Sequence, residues 1–204
     1  WEIESRMKHY QVPGVTIAVI KDYKIDWAKA YGLANVETGE KATTETAFQA
    51  ASISKTINAL GVLKWANEND IDIYSDINTL LKSWQFEYEG NPTISIHQLL
   101  THTSGLSVHG FLGYKDDENL PTTVQILKGE KPANNRPIRS LFASGEKFKY
   151  SGGGTTITQL ILEDHVGDYA SYMEQSLFKP LNMNRSFYPT NFKGQVSMSH
   201  NRKG

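Results

Sequence analysis

Along this chain the spacing of hydrophobic and polar positions changes period several times, and each change marks an element. Ile3, Met7 and Tyr10 share one helical stripe, which Pro13-Gly14 brings to an end. Residues 15–20 are a short run rich in β-branched side chains. The polar Lys21-Asp22-Tyr23-Lys24 follows, and residues 25–30 alternate. That pattern predicts an antiparallel hairpin behind an N-terminal helix. Residues 32–46 are polar and turn-rich and are expected to form a surface excursion.

An apolar helical pattern then runs from about Ser52 to Asn69. Ile77, Leu80 and Leu81 predict a short helix, and Trp84, Phe86 and Tyr88 an aromatic cluster of the core or its rim. Thr93 and Ser95 are candidate N-caps for residues 96–100, with a loop over residues 101–106. Residues 107–145, with Gly110, Gly113, Pro121, Pro132, Asn134-Asn135 and Pro137, are the least regular stretch. A connection of that length reads as a lid, a binding loop or simply a mobile one. Its acidic run Asp116-Asp117-Glu118 reads as solvated surface. Finally, Tyr150-Ser151-Gly152-Gly153-Gly154 reads as a tight loop feeding a helix over residues 155–162.

Composition narrows the classes. At 204 residues the chain suits one domain or two small ones. A net charge of −1 with interspersed signs leaves no basic stripe for nucleic acid. No apolar run reaches the length of a transmembrane span. The absence of cysteine excludes disulfides and thiolate metal sites without fixing a compartment. His97, His102 and His109 match no compact ligand spacing and have no carboxylate with them, so neither a metal nor an organic cofactor is expected. The chain opens on Trp1 rather than methionine, and residues ahead of it are expected to have been removed.

Chemistry enters at Ser52 and Lys55. If a helix starts near Ser52, positions i and i+3 lie on one face, with hydroxyl beside amine. The helix N-terminus adds unpaired N–H groups and partial positive charge. Serine, base and amides in that arrangement suit acyl transfer. Ser-x-x-Lys occurs four times, at Ser5/Lys8, Ser52/Lys55, Ser144/Lys147 and Ser176/Lys179, so spacing alone carries little. Only Ser52 has a small-residue lead-in to an apolar helix, and it could equally serve as a plain N-cap. The glycine run lacks a Gly-Lys-Ser/Thr ending, which excludes a P-loop. Taken alone, Tyr150 reads as an ordinary half-buried tyrosine.

In order and spacing, five segments together resemble the serine β-lactamase and penicillin-recognising superfamily, in its class C-like branch. They are Val12-Pro13-Gly14-Val15, Ala51-Ser52-Ile53-Ser54-Lys55-Thr56, Leu99-Leu100-Thr101-His102-Thr103-Ser104-Gly105-Leu106, Tyr150-Ser151-Gly152-Gly153-Gly154 and Phe178-Lys179-Pro180-Leu181-Asn182-Met183. That branch holds class C β-lactamases, D-Ala-D-Ala carboxypeptidases, D-aminopeptidases and β-lactamase-like esterases.

The resemblance implies an α/β (α+β) fold, an antiparallel sheet flanked by helices plus a helical domain. Residues 1–47 would supply the helix and hairpin of the α/β domain. Residues 48–190 would form a mainly helical domain, and residues 191–204 a truncated lead into an absent C-terminal part. It also implies site roles. Ser52 attacks a carbonyl and becomes acylated, and its N–H is half of an oxyanion hole. Lys55 accepts or relays the proton, which requires an amine neutral part of the time. Tyr150 shuttles protons, its phenolate favoured by the lysine. Gly152 is carried as a substrate or oxyanion contact.

Two departures stand out. The second motif is usually Tyr-x-Asn, and Gly152 replaces the asparagine that bonds a substrate amide. That change weakens the case for efficient β-lactam hydrolysis and leaves esters or other amides open. The third motif, Lys-Thr-Gly or His-x-Gly, is absent, and Lys203-Gly204 is no substitute. A two-stranded hairpin is too small for a stable sheet. The chain is therefore expected to be a fragment, completed by a missing C-terminal segment.

The expected function is serine hydrolysis of an amide or ester through an acyl-enzyme, as a penicillin-binding-protein-like peptidase or esterase ahead of a β-lactamase. The alternative is a non-catalytic penicillin-binding or peptidoglycan-binding module. Partners implied are small-molecule or peptide substrates such as a β-lactam, a D-amino-acid peptide or an ester, with no nucleic acid. A bacterial periplasmic or other extracytoplasmic location follows from the resemblance, although some such esterases are cytoplasmic.

Overall fold

In the computed structural model, residues 2–88, 92–114, 119–188 and 194–199 are described. Trp1, the Asp116-Asp117-Glu118 run and Lys203-Gly204 lie outside them. The chain divides into two compact units, residues 1–51 with 185–204 and residues 52–184. The segment from 185 onward belongs with the N-terminal unit.

The first unit begins with helix α1 (Ile3–Tyr10), stopped by Gln11 in the left-handed region, two residues before the proline. Strands β1 (Gly14–Lys21) and β2 (Lys24–Asn35) pair antiparallel. Asp22 and Tyr23 both carry positive φ, 50° and 60°, as a two-residue hairpin turn matched to strand twist requires. The expected surface excursion after Gly32 is in part sheet. β2 continues to Asn35, Ala34 is 0% exposed, and β3 (Glu40–Lys41) pairs back onto β2.

Two local devices make that return. Asn35 Oδ1 accepts the N–H groups of Glu37 and Thr38, which turns the chain. Gly14 and Gly32 allow close strand contact, since a Cβ on Gly14 would lie 2.1 Å from the Leu33 carbonyl oxygen. Residues 195–198 join the same unit. Val196 bridges Ala47 in parallel, and the Gln195 side chain bonds Glu40, Thr46 and the Lys41 carbonyl. On the hairpin, Ile20 and Ile25 are 61% and 67% exposed, so much of its apolar surface is uncovered within this unit.

The second unit is helical. α2 (Ser54–Glu68) and α5 (Gly152–Val166) pack together around Val62, Trp65, Ala66, Ile157, Ile161 and Met173. Gly61 lets this happen, because a Cβ there would lie 2.5 Å from Met173 Sδ. Between the two helices a buried polar link replaces apolar contact. Asn58 Nδ2 donates to Thr158 Oγ1 at 2.7 Å, and the Tyr169 hydroxyl donates to Asn58 Oδ1 at 2.9 Å. Such groups are costly unless paired, and here they fix one register of the helices.

Shorter helices complete the unit. α3 (Ile96–Leu100) starts with a capping box between Ser95 and Gln98, and α4 (Thr123–Lys128) with one between Thr122 and Gln125. α4 lies inside the stretch expected to be irregular. α6 (Tyr169–Met173) is capped by Asp168. The expected short helix at Ile77 is a 3-10 turn, Ile77–Thr79, and Phe86 lies in the core between the rings of Trp84 and Tyr88.

Candidate active site

Ser52 does not open an α-helix, as the spacing predicts. It lies in a 3-10 turn, Ala51–Ile53, that leads into α2 at Ser54. The turn opens on Ala51, held at φ 44°. An L-residue in that region costs about 1–2 kcal/mol, a strain typical of functional turns. Because of this offset the Ser52 hydroxyl does not cap the helix. It bonds side chains instead, accepting from Lys55 Nζ at 3.1 Å and from the Tyr150 hydroxyl at 2.7 Å.

The structure thus brings Ser52, Lys55 and Tyr150 to one point from two elements. The Lys55 ammonium also lies 5.0 Å from the centre of the Tyr150 ring. Bonding to Lys55, then the bond to Ser52, holds the Tyr150 phenol below its ordinary ionisation range. Ser52 is exposed, while Lys55 and Tyr150 are half-buried. The serine therefore faces solvent with both partners already around it.

Tyr150 sits immediately before α5. Ser151 Oγ caps that helix by accepting from Gly154 N–H at 3.0 Å. The three glycines form the helix's first turn rather than a loop before it. Gly152 and Gly153 sit in close packing. A Cβ on Gly153 would lie 2.6 Å from Ile138, and one on Gly152 3.1 Å from the His109 carbonyl oxygen and 3.2 Å from the Phe111 ring.

Gly152, carried in the sequence as a substrate or oxyanion contact, has its amide engaged within the fold. It is buried, and its N–H donates to the His109 carbonyl at 3.1 Å. Gly153 N–H donates likewise to Val108, a β-branched residue held at φ 60°. A strained loop thus occupies the first amides of α5, closing that helix end.

Two histidines flank the tyrosine. His102 and His109 contact the Tyr150 ring at centroid distances of 4.5 Å and 4.8 Å. In the sequence they raised only a metal question. Their place beside Tyr150 depends on contacts some fifty residues apart, and only the presence of His102 in a segment carrying the resemblance could have drawn attention to it.

The beta-lactamase family model matches residues 2–197. Protein flp of Staphylococcus aureus (strain N315) is 30% identical over 200 residues, which are 95% of this chain and 38% of that protein. Esterase EstB of Burkholderia gladioli is 29% identical over 162 residues, 72% of this chain and 40% of the esterase. The octameric penicillin-binding protein homologue from Pyrococcus abyssi superposes with a TM-score of 0.76 at 28% identity, over 96% of this chain and 46% of that one. The chain thus spans less than half the length of each of these relatives. Its helices and antiparallel sheet are those of the β-lactamase/transpeptidase fold, and with nearly its whole length matched this chain belongs to the beta-lactamase family.

Proposed function

We propose that Ser52 is the nucleophile of an acyl-transfer reaction on an ester or amide, with Lys55 and Tyr150 handling its proton. The observation that carries this reading is one oxygen with two partners. Ser52 Oγ lies 3.1 Å from an amine and 2.7 Å from a phenol whose ionisation is favoured by that amine. When Tyr150 is a phenolate the 2.7 Å contact reverses, and Ser52 donates its proton to the phenolate oxygen. The bond from Oγ to the carbonyl carbon then forms. The leaving alkoxide or amine departs with a proton returned through Tyr150 or Lys55, and water later cleaves the ester.

Esters and peptide-like amides come ahead of β-lactams as substrates. The likeness to esterase EstB supports this order, and so does Gly152, which offers no side-chain amide to a substrate. If the substrates derive from cell wall, the site of action lies outside the cytoplasm; no helix among the described residues is long and apolar enough to cross a membrane. The uncovered hairpin face around Ile20 and Ile25 supports completion of the sheet by a further C-terminal segment. The buried amide of Gly152 also favours a second reading, a binding module that keeps the fold without turnover.

Intact-protein mass before and after incubation with a p-nitrophenyl ester, and separately with a penicillin, tests the proposal. An adduct, or release of p-nitrophenol, that disappears in Ser52→Ala is the expected result. Equal turnover in Ser52→Ala overturns the assignment, and no reaction of the wild type with either reagent favours the binding module.

A further inference from the structure

His102 holds the backbone on both sides of Tyr150. Its carbonyl accepts from Lys149 N–H at 2.7 Å, and its ring Nδ1 accepts from Ser151 N–H at 3.3 Å. Between these two bonds the imidazole packs against the phenol, with planes 37° apart. Phe148 meets the imidazole edge-on at 5.9 Å. The residue itself is fixed just beyond α3, at φ 58°, with its N–H on the Leu99 carbonyl. The segment from 141 to 149 contains no helix or strand, so no regular element steadies Tyr150 from its N-terminal side.

We propose that His102 is a positioning residue for acyl transfer: one side chain and its own carbonyl clamp residues 149 and 151 and so set where the Tyr150 phenol meets Ser52. A misplacement of about 1 Å at such a contact can cost about 10²-fold in rate. The clamp also fixes the state of the imidazole. A nitrogen that accepts an N–H carries a lone pair, so Nδ1 is bare and the proton sits on Nε2. The titratable groups facing the ring are Lys55 from α2, His109 from the loop after α3, and Tyr150. Burial, then the charge of Lys55, then His109 keep the imidazole neutral below its ordinary range. Protonation would set N–H against N–H at Ser151 and open the clamp.

The left-handed backbone of residue 102 supplies the discriminating pair of variants. Asparagine tolerates φ > 0 and can place an acceptor oxygen where Nδ1 stands; glycine tolerates the same φ with no acceptor at all. In the full chain labelled with ¹³Cζ-tyrosine, the Tyr150 resonance is identified by its loss in Tyr150→Phe and followed through its titration. The wild type and His102→Asn should titrate below the ordinary phenol value of about 10, and His102→Gly should return toward it. In parallel, acylation by a p-nitrophenyl ester should fall about 10²-fold in His102→Gly and only a few-fold in His102→Asn.

If the glycine and asparagine variants titrate alike, or the wild type titrates at the ordinary value, the clamp idea is overturned. Should His102→Gly lose the native amide spectrum, His102→Ser, too short to reach Ser151, takes its place against His102→Asn. The inference relies on the acyl-transfer reading only for the rate measurement. A displaced wild-type titration that returns in the glycine variant, with no ester reacting, would sink that reading and leave the clamp standing.

Discussion

Lys55 and Lys147 each stand three residues after a serine, and the structure puts them to different uses. Lys55 follows a 3-10 turn into α2 and reaches back to Ser52 Oγ, which also accepts from the Tyr150 phenol. Ser144 lies among turns and bends, where no helix brings positions i and i+3 together. Its hydroxyl donates to the Thr93 carbonyl at 2.8 Å, and Lys147 turns to Glu146 at 2.9 Å and the Phe142 ring. At Ser176/Lys179 a π-helical turn, Glu174–Phe178, spoils the stacking again, and Lys179 pairs with Glu174 at 3.0 Å. At residues 144 and 176 the backbone does not align serine with lysine, and a carboxylate takes each amine.

The largest effects should separate the first pair from the second. Lys55→Met is expected to slow acylation of Ser52 about 10²–10⁴-fold, measured as p-nitrophenol release or adduct formation, whereas Lys147→Met leaves it unchanged. Equal losses in both would break the comparison. Tyr150→Phe should cost about 10²-fold and should also reshape the pH profile. The phenol's ionisation lies below its ordinary range, so the phenolate fraction grows as pH rises. The wild-type rate should therefore climb with pH along a limb centred below about 10, and the phenylalanine variant should lack that limb.

Smaller effects concern the frame. Asn58→Leu removes one hydrogen bond from each of Thr158 and Tyr169 and should destabilise the helical unit by about 1–3 kcal/mol, read as a lower unfolding midpoint in urea. Smallest of all, Lys179→Met removes only an exposed ion pair and should stay within about 0.5 kcal/mol of wild type in the same assay. A large loss there would mean that Ser176 and Lys179 carry more than surface charge.

How much of this was legible in the sequence follows the range of the forces involved. Turn and cap chemistry is local, so the hairpin around Asp22-Tyr23 and the cap at Ser95 could be read directly. The extension of β2 through Ala34 could not, because Leu33 and Ala34 are too short a run, ahead of a polar stretch, to show a strand that its sheet partners make. α2 itself starts at Ser54, behind a 3-10 turn at the expected point near Ser52, and nothing in the letters announces the positive φ of Ala51. Proximity of Ser52 and Lys55 followed from helical spacing. The arrival of Tyr150 rested on the resemblance, and the Asn58–Thr158 link joins positions 100 residues apart that no periodicity relates. Long-range contacts of this kind are made by packing, which a single sequence does not display.

The closed start of α5 has a consequence for any side chain placed at its first residue. With the carbonyl oxygen of His109 and the ring of Phe111 3.1 Å and 3.2 Å from where a Cβ on Gly152 would be, those neighbours would have to give by a few tenths of an ångström. The loop and the helix start are therefore coupled, and a change at one is felt at the other.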